Sequence, residues 1–211
     1  MPNKDETHLP IRRMTFIGRG QVTVNPDLAV IRLGVQTTGD NVTAAQQENA
    51  RISSQIITAI KGLEVKDIMT YQYQVEKLYD FENGNRIDRG YSVRNIYEIR
   101  TENPGQVGAI IDTAVFNGAN AVEYISFEVA HPDTYYQQAL NLAVKNAYQK
   151  ARTVASGMKF SFDPLPIQIT ENTVQPFPFS ASFAIREGAY PTPIESGSKQ
   201  IEASVTVEFR Y

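Results

Sequence analysis

The chain has 211 residues, 42% of them hydrophobic and 20% charged, with a formal net charge of −3, two His and no Cys. That length supports one substantial core or two small lobes, and the acidic balance excludes a basic field for nucleic acid or an anionic membrane. Without Cys there are no disulfides, thiolate nucleophiles or Cys-ligated metal centres, and with only two His, at positions 8 and 131, a multi-His metal site or a His-based triad is nearly excluded.

Residues 1–11 are polar and read as a disordered N-terminal segment, followed by a single α+β domain over 12–211. Residues 1–8 lack the apolar core of a secretory signal, and no apolar run reaches the ~18 residues of a transmembrane helix. The expectation is therefore a cytoplasmic chain, or a periplasmic or envelope protein if an upstream signal has been removed.

Strand one is expected over 12–24 and strand two over 27–37, joined by the turn Asn25-Pro26-Asp27. A helix then begins near Asn41 or Thr43, where Thr43-Ala44-Ala45-Gln46 has capping-box spacing. Ala45, Ile52, Ile56, Ala59, Ile60 and Leu63 form its apolar face. A hairpin follows. Tyr71, Tyr73 and Val75 alternate with Gln72, Gln74 and Glu76, Asn83-Gly84 marks the turn, and Tyr91, Val93, Tyr97 and Ile99 lie on the return strand. Asn103 and Pro104 open a second helix that stops at Gly118, and a strand is expected near 122–130. The third helix spans 133–156, with Ala139, Ala143, Ala147 and Ala151 permitting close backbone approach and Gly157 as its C′ residue. The tail reads as a strand near 164–173, an irregular stretch over 174–198 and a last strand over 200–211. From strand two to the strand at 122–130 the order is β-α-β-β-α-β, a ferredoxin-like arrangement elaborated by a leading strand, a third helix and two C-terminal strands. Helices packed on an antiparallel or mixed sheet make the expected class α+β.

Several of these residues, in their order and spacing, carry a family resemblance. They are Gly18-x-Gly20, Pro26-Asp27, Thr43-Ala44-Ala45, Asp67-Ile68-x-Thr70, Gly90-Tyr91-x-Val93-x-Asn95, Gly118-Ala119-Asn120, Phe127, and the Ala143/Ala147/Ala151 helix with Lys150. Over about 14–210 the chain resembles the SIMPL-domain family of bacteria, which includes periplasmic and surface-exposed immunogenic proteins. The resemblance implies links to oxidative-stress defence or envelope biology and assembly into higher oligomers, with no established catalytic residues.

The motifs that suggest chemistry each meet a plainer explanation. Gly18-Arg19-Gly20 looks like half a dinucleotide fingerprint, but Thr23 stands where the third Gly belongs and a strand follows in place of a helix. Glycines that relieve crowding in a strand account for it better. The acidic hairpin tip over 80–88 puts Gly84 one position early for a calcium loop and Tyr91 in the place of the bidentate Glu. Ser156-Gly157-Met158-Lys159 and Ser196-Gly197-Ser198-Lys199 match S-x-x-K but open no helix and lack companion motifs. His8 lies in the N-terminal segment, and His131 reads as a capping or surface residue. Asn41-Val42-Thr43 is a glycosylation sequon at a helix start, where Asn is expected as a cap. The Tyr-rich hairpin lacks interleaved Arg and Lys on its first strand, which favours cross-strand packing over base stacking.

The segment 174–198, rich in Pro and Phe, is longer than an ordinary loop. Its aromatics either form an interface with little entropy lost on binding or cover the open end of the core. The leading expectation is a non-enzymatic, self-associating scaffold or binding protein in a stress-related setting. Its interaction residues are Phe177, Phe179, Phe183 and Tyr190, and no cofactor, metal or nucleic acid is expected. The alternative is a small-molecule binder or enzyme with a pocket between helix 133–156 and the sheet, lined by Tyr.

Overall fold

The computed structural model describes residues 12–65, 67–172 and 192–211. In chain order its elements are β1 (Arg13–Val24), β2 (Leu28–Gly39), α1 (Val42–Lys61), β3 (Asp67–Glu82), β4 (Asn85–Thr101), a 3-10 turn (Pro104–Gln106), α2 (Val107–Phe116), β5 (Ala121–Glu128), α3 (Pro132–Met158), β6 (Gln168–Asn172) and β7 (Lys199–Arg210). The fold is α+β, and its strand pairings are antiparallel. These elements form two compact units.

The first unit is a sheet in the order β1-β7-β6 with α3 packed on one face. Alternate residues of β7, from Ala203 through Val205 and Val207 to Phe209, are buried against the Ala139, Ala143, Ala147 and Ala151 face of α3. Gly18 and Gly20 of β1 let the helix backbone come close, because a Cβ there would lie 2.0 Å from the carbonyl oxygens of Ala143 and Ala139 respectively. The two strands joined by Asn25-Pro26-Asp27 thus belong to different sheets. Residues 25–27 carry the chain from the sheet of β1 to the separate sheet of β2.

The second unit is a sheet in the order β3-β4-β2-β5, with its core between the sheet and the helices α1 and α2. Ala29, Ile31, Leu33 and Val35 of β2 alternate into that core, where they meet Ile56 and Ile60 of α1 and Ile110 and Ala114 of α2. Asn83 and Gly84 both take positive φ (50° and 79°), as a two-residue hairpin turn between right-twisted strands requires.

Several local expectations need correction. Asn41 alone caps α1, its side chain accepting from Ala44 N at 2.9 Å, and Thr43 already lies inside the helix. Gly157 is likewise inside α3. The left-handed residue is Lys159, at φ 55°, because buried Ala155 still packs as part of the helix and its carbonyl accepts from both Lys159 N and Phe160 N. His131 occupies the N-cap position of α3 without a side-chain capping bond. The sixth strand starts only at Gln168, since Pro164 and Pro166 have no N–H for a ladder. The second helix opens as a 3-10 turn, with Asn103 accepting from Gly105 N.

Candidate functional site

In the first unit a cleft of about 380 Å³ opens between α3 and β7. Val144 and Tyr148 of α3, Val207 and Phe209 of β7, and Pro164 and Pro166 of the connecting segment form its apolar wall. Tyr148, Phe162 and Phe209 make a mutually packed aromatic group, with ring centres 5.6–6.3 Å apart. Lys145, Gln149 and Arg152 line the same cleft at i, i+4 and i+7 on α3. Among the described residues neither Lys145 nor Arg152 forms an ion pair. At this place, between the third helix and a sheet, a pocket is one of the two expectations; one Tyr lines it.

The other side of α3 stabilises the outer edge of β1. Asn146 accepts from Arg19 N, and Lys150 donates to the Ile17 carbonyl at 2.7 Å. These bonds satisfy strand groups with no strand neighbour among the described residues. Lys150, one of the residues carrying the resemblance, therefore has a structural explanation.

In the second unit, the sheet face turned away from α1 and α2 carries a charged cluster. Arg32 pairs with Glu98 at 2.9 Å, and Arg100 bonds the second carboxylate oxygen at 2.8 Å. Glu98 is only 5% exposed. Its bonds to Arg100, joined by those to Arg32, outweigh burial and hold its carboxyl below the usual glutamate range. The Arg32 guanidinium lies 3.8 Å from the Tyr71 ring centre and 4.9 Å from that of Tyr124. A β-bulge makes the first contact possible. Strict alternation would put Tyr71 on the face of Tyr73 and Val75, but the register shift between Thr70 and Gln72 sends Tyr71 to the opposite face. Tyr73 stays on the α1 side and accepts from Gln46. Beside this cluster a polar groove of about 280 Å³ is lined by Gln36, Gln72, Gln74, Glu76, Ser92 and Arg94. Gln72, Gln74 and Glu76 are chained by side-chain bonds, and Arg94 pairs with Glu123.

The acidic hairpin tip is an ion-pair ladder. Arg89 bonds Asp80 at 2.9 Å and Glu82 at 2.7 Å, and Lys77 bonds Asp88 at 2.6 Å. Its carboxylates are engaged by cations of the protein itself, and among the described residues no group of three or more His, Asp or Glu is placed to hold a metal. Along β3 the large side chains are more exposed than cross-strand packing predicts: Tyr71 50%, Tyr73 52%, Tyr79 48% and Phe81 69%. On β4, by contrast, Tyr97 is buried.

Phe177, Phe179, Phe183 and Tyr190 lie outside the described residues. The described end of their segment is tied to α2, where Thr192 donates through N and Oγ1 to the two carboxylate oxygens of Asp112, at 3.0 and 2.5 Å. Periodicity also missed a polar seam on α1. Asn49 and Ser53 are buried in line with Ala45 and Ile56, and Asn49 donates to the Val35 and Val93 carbonyls. Their i, i+4 spacing with the apolar residues is the signal that could have found them.

The molecule is thus an α+β protein with a semi-apolar cleft and a long hairpin carrying exposed aromatics. The SIMPL family model, described as protein of unknown function (DUF541), matches residues 14–209, and the chain belongs to that family. It is 26% identical over 210 residues to the 26 kDa periplasmic immunogenic protein of Brucella melitensis, covering 93% of this chain and 84% of that relative. It is also similar to the uncharacterized protein YggE of Escherichia coli K12, at 26% identity over 76% of this chain and 67% of the relative. YggE of Edwardsiella ictaluri is 19% identical over 91% of this chain and 80% of the relative.

Proposed function

We propose that this protein is a non-enzymatic, self-associating binding protein of the bacterial periplasm, acting in a stress-related setting. The observation that carries self-association is β3, a strand of 16 residues with no partner on its outer side among the described residues and with Tyr73, Val75, Tyr79 and Phe81 exposed along it. A long edge strand with exposed aromatics is a surface on which another chain can pair, and a second copy presents the same surface. Phe177, Phe179, Phe183 and Tyr190 are the further association residues of this proposal. The periplasmic location rests on the name of the Brucella relatives, and the stress-related setting on what the family resemblance implies. A non-enzymatic role is supported by the engagement of Glu98, Asp80, Glu82 and Asp88 in ion pairs.

Light scattering coupled to gel filtration, at two protein concentrations, tests this reading. The expected result is a mass above the 23.6 kDa monomer at both, lowered in Tyr79→Ser/Phe81→Ser and in Phe177→Ser/Phe179→Ser/Phe183→Ser with circular dichroism unchanged. A monomer at both concentrations sinks self-association.

The cleft beside α3 favours a second reading, in which the protein binds a small molecule there. A melting shift across a metabolite panel checks it, since a ligand of the folded state raises stability by mass action.

A further inference from the structure

The cleft between α3 and β7 combines two chemistries that call for one kind of ligand. Its wall is apolar and aromatic, formed by Val144, Tyr148, Val207 and Phe209. At about 380 Å³ it has the size of a small-ligand site. Its remaining α3 side chains all carry donors: Lys145, Gln149 and Arg152 sit within two turns of one helix face. Some cations of this protein are held by carboxylates, among them Arg32, Arg89, Arg94 and Arg100. Lys145 and Arg152 have no such partner among the described residues. Hydrated surface cations need no partner, but two beside an apolar slot complement a ligand that has both a tail and an anionic head.

We infer that this cleft binds small carboxylate-bearing amphiphiles, with the hydrocarbon part against Val144, Tyr148, Val207 and Phe209 and the carboxylate held by Lys145 and Arg152. This rests on the second reading above, that the cleft is a binding site at all, and adds the class of ligand. A neutral alkyl ligand would leave the cations without a counter-charge, and a small anion without a tail would forgo the apolar wall.

Octanoate, octan-1-ol and acetate are the probes, titrated into the full chain at up to about 1 mM, where millimolar affinity still registers. Binding is followed by the methyl resonances of Val144 and Val207. The expected result is saturable shifts with octanoate, weaker ones with octan-1-ol and none with acetate. Lys145→Gln/Arg152→Gln, both exposed on a helix surface, should weaken octanoate by about tenfold while leaving octan-1-ol unchanged. Equal affinity for octanoate and octan-1-ol, or no effect of the double variant on octanoate, overturns the anionic class and leaves the cleft a binding site. Silence of both methyl probes towards every ligand overturns the inference, and a metabolite panel equally without a melting shift then removes the reading beneath it.

Discussion

Gly18 and Gly20 stand at the closest approach of helix and strand, so a side chain at either site has no room to enter. A Cβ at Gly18 would meet the Ala143 carbonyl oxygen at 2.0 Å, a backbone atom that cannot rotate away. Gly18→Ala should therefore destabilise the protein by about 2 kcal/mol or more, read from urea unfolding. A loss under ~0.5 kcal/mol, the scale of an ordinary surface substitution, would contradict the packing. Glu98 gives a prediction with a pH signature. Its carboxyl is held below the ordinary value of 4.5, chiefly by Arg100 and then by Arg32. A depressed carboxylate contributes stability above its unfolded pKa, and that contribution fades as pH falls through the lower folded value. Glu98→Gln should thus lower Tm at pH 7, and its gap to the wild type should close as the solution is acidified below that ordinary value of 4.5 and through the lower folded one. A gap that stays constant from neutral to acid pH would assign the effect to packing.

For single elements, the long helix α3 offers the sharpest test. Gly157 lies inside the helix with open space around an added Cβ. Gly157→Ala should raise stability by about 0.5–1 kcal/mol, measured by the denaturation midpoint, because Ala loses less backbone freedom on folding. A glycine required in the left-handed C′ conformation would show the opposite sign. The helices and the hairpin turn were legible from Asn41, the alanine repeat and Asn83-Gly84, whose signals are local. The end of α3 was not, since the burial of Ala155 on the sheet outweighs the preference for glycine at a helix end. The face of Tyr71 escaped for a related reason: one extra residue in β3 reverses the side from which a side chain emerges, and no residue type announces it.

In the molecule as a whole, the self-association and the ligand binding proposed above draw on different units. The hairpin surface of β3 belongs to one and the cleft beside α3 to the other. Tyr79→Ser/Phe81→Ser is accordingly expected to change mass without changing octanoate binding, and Lys145→Gln/Arg152→Gln the reverse. The sequence by itself determined the α+β class, the order of the elements and the family, because hydrophobic period, caps and turns are local and recur in the same order along the chain. Apart from the β3–β4 hairpin, tertiary structure alone decided which strands are partners. β1 pairs with β7 near the other end of the chain, although β2 follows it directly. The same long-range pairing brings Arg32 to Glu98 and sets Val207 and Phe209 opposite α3 to form the cleft. Alternation shows that a strand has an apolar face, but many strands satisfy that condition equally. The choice among them is made by close packing, which depends on residues far apart in the chain.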